Sequence, residues 1–169
     1  YSIAPNGSGL VRLTSLAGDE LHPSVSADGT LLTFQQRTAG GKWNIMVQNI
    51  DSSGEPREIT TGQFNDTEPV FSRTLSNEIF FVSDRSDPIG IYLMNSDGSS
   101  PAELDASFNS VQRHPAPHPL LNTQLLFSAY RSGSQDVWRK SISAVDLNVV
   151  NLNLTSDALA EEHSPAWGC

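Results

Sequence analysis

HPSVSADGTLLTF, residues 22–34, decides the fold through its echoes along the chain. EPVFSRTLSN follows at residues 68–77, HPAPHPLLN at 114–122 and SPAWGC at 164–169. The prolines Pro23, Pro69, Pro115 and Pro165 are separated by steps of 46, 46 and 50 residues. A repeat of this length points to a stacked or radial array of small units rather than to one irregular core.

Outward from each proline the punctuation is the same. A turn comes first: ADGT from Ala27, LSNE from Leu75, LLNT from Leu120. Asp, Asn and Gly accept left-handed backbone angles there at low cost. An apolar run follows (LLTF from Leu31, IFFV from Ile79, LLFSAY from Leu125), then a polar loop, then a second run (WNIMVQN from Trp43, IYLMN from Ile91, VWRKSI from Val137). A further turn leads to a short closing run, REIT from Arg57, AELD from Ala102 and LNLT from Leu152. Short β-branched and aromatic runs between Gly, Asn, Asp and Pro read as strands joined by hairpins. SADGT at Ser26 is read the same way, as a hairpin turn and not as a sialidase Asp-box. No window carries a sustained helical period; residues 156–162, SDALAEE, are the one stretch that fits a helical turn. Four strands per unit, in up-and-down order, describe an all-β propeller blade of four antiparallel strands.

SVSADGTLLTF (24–34), VSDRSDPIGIYLMNSDGSSPAEL (82–104) and EEHSPAWG (161–168) carry a family resemblance. The pattern resembles the WD-like repeat of TolB-type propellers, which also occurs in propeller domains of tricorn-type and prolyl-oligopeptidase-type proteases. The resemblance spans essentially the whole chain. The third unit departs from it, with HPAPHPLLN in place of the usual turn and an insertion at residues 144–150. It implies a periplasmic or extracellular location and a fold that hosts many roles.

The repeat divides the chain into the end of a split blade (1–14), blades at 15–60, 61–105 and 106–155, and the start of a split blade (156–169). YSIAPNGSGLVRLT at residues 1–14 aligns without a gap on residues 92–105, so the first residues read as third and fourth strands. Three blades form an open arc, since propellers close at four or more. Two continuations fit: a longer chain of which this is a stretch, or completion by another chain through open sheet edges, which are templates for strand addition and for filaments.

The net charge is −9 and the isoelectric point near 4.7. Such a surface argues against nucleic acid and anionic membranes, which reward clustered Lys and Arg. No apolar stretch is long enough to span a bilayer, so no membrane insertion is expected. Cys169 is the single cysteine, which excludes an intrachain disulfide. Asn6, Asn65 and Asn153 each head an N-x-S/T sequon.

The search for catalytic motifs finds no G-x-S-x-G elbow, no H-E-x-x-H and no zinc-spaced Cys/His set. A non-enzyme without cofactor is the expectation. One constellation stands out: the residue before the repeat proline is His22, Glu68 and His114, with His163 beside the last copy, and Glu20, Asp66, Gln112 and Glu162 lie near them. In a propeller the first strands line the central channel, so these side chains would converge on one mouth. Imidazoles and carboxylates there suit a weak metal or ligand site; repeated polar residues equally suit repeated inter-blade hydrogen bonds, the preferred reading. Asp84-Arg85 and Arg131 are expected to brace neighbouring blades through paired charges. Trp43, Tyr92 and Trp138, at nearly equivalent third-strand places, are expected to pack between blades.

The functional expectation is a non-catalytic, extracytoplasmic protein-binding or assembly module whose partners include copies of itself. The alternatives are a structural subunit polymerised by strand complementation and an accessory propeller of a larger hydrolase.

Overall fold

The structure is a computed structural model that describes residues 1–51, 54–73, 77–121, 123–131, 133–142, 151–155 and 165–167. The possible helical turn at 156–162, the insertion at 144–150, His163 and Cys169 lie outside these residues.

The described strands are β1 Glu20–Val25, β2 Leu31–Arg37, β3 Trp43–Asn49, β4 Arg57–Glu58, β5 Asp66–Phe71, β6 Glu78–Ser83, β7 Gly90–Asn95, β8 Ala102–Glu103, β9 Gln112–Pro117, β10 Gln124–Arg131, β11 Ser134–Ser141 and β12 Asn151–Asn153. They form three four-stranded sheets in sequence order, β1–β4, β5–β8 and β9–β12, each antiparallel throughout. No helix occurs among the described residues, and none therefore is long and apolar enough to cross a membrane. Three successive up-and-down sheets with no closed ring make a partial propeller arc.

Local chemistry explains the turns. In the first blade Asp28 accepts hydrogen bonds from Ser26 Oγ at 2.5 Å, Thr30 N at 3.0 Å and Thr30 Oγ1 at 2.8 Å. These donors hold the exposed Asp28 carboxyl below its ordinary value, and Gly29 takes the left-handed angle (φ 73°) that closes the hairpin.

The apolar core lies between blades. Ile45 and Val47 of β3 pack with Phe71, Ile79, Phe81, Tyr92 and Met94 of the second blade. Phe80, Val82 and Ile91 of the second blade pack with Phe108, Leu125, Phe127, Ala129 and Trp138 of the third. A smaller cluster places Leu13 and Leu16 over Leu32, Phe34 and Met46 on the outer face of the first blade. Strand alternation sends one set of side chains to each neighbour. A fully buried side chain such as Phe81 or Phe127 contributes about 1.5–3 kcal/mol on transfer from water.

Residues 1–14 turn back on themselves through paired backbone bonds of Ser2 and Val11, both at 2.8 Å. In the third blade Lys140, buried on β11, lies 2.9 Å from the buried carboxylate of Asp105, which also accepts from Asn151 Nδ2 at 2.8 Å.

Candidate functional site

The innermost strands β1, β5 and β9 each break register at the repeat proline, between Leu21 and Ser24, between Thr67 and Val70, and opposite Leu126–Ser128. The residue before each proline is left-handed: His22 (φ 52°), Glu68 (φ 54°) and His114 (φ 54°). A non-glycine residue held there costs about 1–3 kcal/mol unless its surroundings over-determine it. The bulge turns these three residues toward one cleft of about 560 Å³, shared with Ser24, Val70, Arg73 and Pro165. A second cleft of about 780 Å³ shares Val70, Arg73, Pro115 and Pro165, and continues past Pro117, His118 and Leu120 to Trp167.

Hydrogen bonds decide what the pre-proline residues do. Glu68 N–H donates to Gln35 Oε1 of the first blade at 2.8 Å, and Phe71 N–H donates to Ser24 Oγ at 3.1 Å. His114 N–H donates to Glu68 Oε2 at 2.6 Å, and Arg113 Nη1 lies 3.4 Å from Glu68 Oε1. The Glu68 carboxylate is therefore engaged on both oxygens by the third blade. His114 Nδ1 lies 2.9 Å from Ser128 Oγ within its own blade. His118 Nδ1 accepts from Leu120 N and Leu121 N, both at 3.1 Å, and its ring meets Trp167 edge-on at 4.3 Å. Trp167 Nε1 in turn donates to Ala116 O at 2.8 Å. Among the described residues no group of three or more His, Cys, Asp or Glu is placed to hold a metal ion. The structure brings His22, Glu68 and His114 to one cleft, but ties Glu68 to the joint between blades.

The cleft surface gathers imidazoles around one arginine, Arg73, and one carboxylate, Glu68. His22, His114 and His118, the described histidines, all line it, with Arg73 between the two clefts. Leu120 is 84% exposed at its rim.

Two expectations change. Arg85 braces its own blade rather than a neighbour: Nη2 meets both Asp66 oxygens at 2.8 and 2.9 Å, Nε donates to Ser83 Oγ at 2.9 Å, and the guanidinium lies over Phe64, Phe81 and Tyr92. Arg131 likewise lies over Phe108 and Trp138 of its own blade. The inter-blade contacts at this level include Lys42 to Asp84, at 3.9 Å, and Trp43 N–H donating to Asn65 Oδ1, at 3.4 Å. Nor is Trp43 equivalent to Tyr92 and Trp138. The residue paired with Phe34 is Met46, as Tyr92 pairs with Phe81 and Trp138 with Phe127, so Trp43 lies nearer the loop and is half-buried. Loop lengths differ between blades, and strand pairing fixes the register where residue counting does not.

The sequons differ in access. Asn65 Nδ2 donates to Asp84 Oδ2 at 2.7 Å, and Asn153 Nδ2 donates to Asp136 Oδ2 at 2.8 Å. Asn6 is exposed in a turn, its Oδ1 accepting from Ser8 N and Oγ at 3.0 and 2.8 Å.

Sequence reasoning missed the Gln35 tether and the buried Lys140–Asp105–Asn151 group. Alignment of the third strands carries the signal for the latter, because Lys140 falls where Met94 is buried.

No family model matches the sequence, and no curated protein sequence matches it. Solved structures do. Putative TolB from Agrobacterium tumefaciens aligns with a TM-score of 0.70 at 20% identity, over 83% of this chain and 50% of that one. TolB from Acinetobacter baumannii aligns at 0.71 and 20%, over 85% and 34%. A chain of a nidogen/laminin complex aligns at 0.63 and 16%, over 86% and 51%. The present chain thus spans half or less of the TolB chains it resembles, and at such identity the likeness is one of fold. Blade order, bulged inner strands and these superpositions together give the chain a TolB-type β-propeller fold, of which it forms a three-blade arc.

Proposed function

We propose that the arc is a non-catalytic, extracytoplasmic protein-binding module whose contact surface is the pair of joined clefts on the channel side. One observation carries the reading: three histidines, Arg73 and Glu68 converge on this surface, beside the exposed apolar rim at Leu120. Apolar surface with a few convergent polar groups is what recognition sites offer. The likeness to TolB and to a chain crystallised as a nidogen/laminin complex supports a protein as ligand.

A photo-reactive amino acid at position 120, compared with one at the outer-edge position 57, tests this in extracts of the native host. A discrete adduct at 120 and none at 57 is expected. Equal adducts at both positions, or none at 120, would overturn the assignment. An adduct of twice the chain mass identifies a second copy as partner.

A second reading, an accessory propeller of a larger hydrolase, draws on a Mycobacterium tuberculosis puromycin-hydrolyzing peptidase that aligns over 84% of this chain and 23% of its own. A peptidase domain encoded in the same gene would favour it.

A further inference from the structure

Lys140 is the one lysine of this chain with a fully buried side chain, 1% exposed. Its Nζ lies 2.9 Å from Asp105 Oδ2 but makes no well-directed hydrogen bond. The same Oδ2 accepts from Asn151 Nδ2 at 2.8 Å. Lys140 and Asn151 are direct cross-strand partners in the β11–β12 ladder, so their side chains leave the sheet on one face. Among the described residues Asn151 Oδ1 is buried without a partner. One carboxylate oxygen therefore bridges a buried amine and a buried primary amide, and two atoms of that group are left unsatisfied.

An ion pair of this kind is a poor way to stabilise a core, since desolvation offsets most of the attraction. The other blades do without it: Gln48 and Met94 occupy the Lys140 place. A buried Nζ that is uncharged is a nucleophile. Burial pushes the Lys140 ammonium down from its ordinary value, against the pull of Asp105. Burial pushes Asp105 up, but hydrogen bonds from Ser107 and Asn151 and the nearby Lys140 ammonium outweigh it and hold the carboxyl at about 2. Asp105 therefore begins as the base.

We infer that Lys140 and Asn151 become joined by an intramolecular amide bond, with Asp105 as the proton carrier. Asp105 takes a proton from the ammonium, leaving a neutral amine. Nζ attacks Asn151 Cγ, so the Nζ–Cγ bond forms. Asp105 delivers its proton to Nδ2 and takes the second proton from Nζ, and the Cγ–Nδ2 bond breaks. Ammonia leaves and carries off the proton that Asp105 then holds, as ammonium. No oxidant, reductant or co-reactant takes part. The product staples β12 to β11 through a bond that denaturant does not break, and Asp105 remains as acceptor for the new amide N–H.

The test is the denatured intact mass of the 169-residue chain, followed by peptide mapping. The expected mass is short by one ammonia, with a branched peptide containing both Lys140 and Asn151. Lys140→Arg and Asp105→Ala should each restore the full mass in folded protein. The wild-type measurement decides even if a variant fails to fold. A full-mass wild-type chain overturns the inference. So does an ammonia loss that persists in Lys140→Arg, which would mark succinimide at an asparagine. A branch from Lys140 to Asp105 with loss of water also overturns it.

Discussion

At the joint between the first and second blades, the N–H of Glu68 meets Gln35 Oε1. At the joint between the second and third, the N–H of His114 meets the carboxylate of Glu68. The place of Gln35 in the second blade is taken by Val82, which packs in the apolar cluster instead. The left-handed residue ahead of each proline turns its N–H out of the strand ladder, and a neighbour must satisfy it. What recurs is therefore a backbone group in need of an acceptor. The acceptor comes from the second strand at one joint and from the pre-proline side chain at the other. A companion exchange runs beside it. Ser24 accepts from Phe71 N–H at the first joint, whereas at the second Val70 faces Pro117, which has no N–H to satisfy.

The widest gap between the joints is opened at Asp105, where the second carries a buried pair that the first lacks. Measured against chain not yet joined at Lys140 and Asn151, Asp105→Ala should cost about 3–5 kcal/mol in urea melts, because it leaves Lys140 without its partner. Acid titration of the same unjoined chain gives the sign. The Asp105 carboxyl is lowered from 3.8 to about 2, so its stabilisation is complete above the unfolded value. It is lost as pH falls through about 2, and an Asp105→Asn variant should lack that step. Next comes Glu68→Ala, which orphans the His114 N–H and releases Arg113, at about 2–3 kcal/mol. Glu68→Gln keeps an acceptor and should recover most of this. Adding Val82→Gln to Glu68→Ala, to copy the first joint onto the second, should recover part; no recovery would mean that the joints are not interchangeable. Gln35→Ala should cost about 1–2 kcal/mol by orphaning Glu68 N–H. His22→Ala, at an exposed side chain tied to no other described residue, should stay within about 0.5 kcal/mol in the same melts.

The blade pattern was legible because its causes are local. Asp28-Gly29 closes a hairpin wherever it occurs, and LLTF or IFFV declares a strand by composition. The convergence of His22, Glu68 and His114 followed from the propeller alone. Their occupation did not, because it depends on whether Gln35, Val82 or Ser128 stands one strand away. Trp43 falls out of line with Tyr92 and Trp138 because the loops ahead of the third strands differ in length and only pairing with the second strand sets the register. Lys140 shows as a charge in an apolar strand, but its partners Asp105 and Asn151 are brought to it from the loop before the blade and from its last strand. In the sequence Arg85 stands beside Asp84 and recurs as Arg131, a repeat that reads as a brace across the joint; the nearer carboxylate in space is Asp66.

Because the two larger apolar clusters lie between blades, the middle blade shares in both, whereas the first and third contribute to one each. Nearest-neighbour coupling of this sort makes local opening a matter of position. Amide protons of β6 and β7 should exchange with deuterated solvent last, after those of the flanking sheets. A bound partner that bridges β1, β5 and β9 would then slow exchange most in the first and third blades, where there is most left to gain.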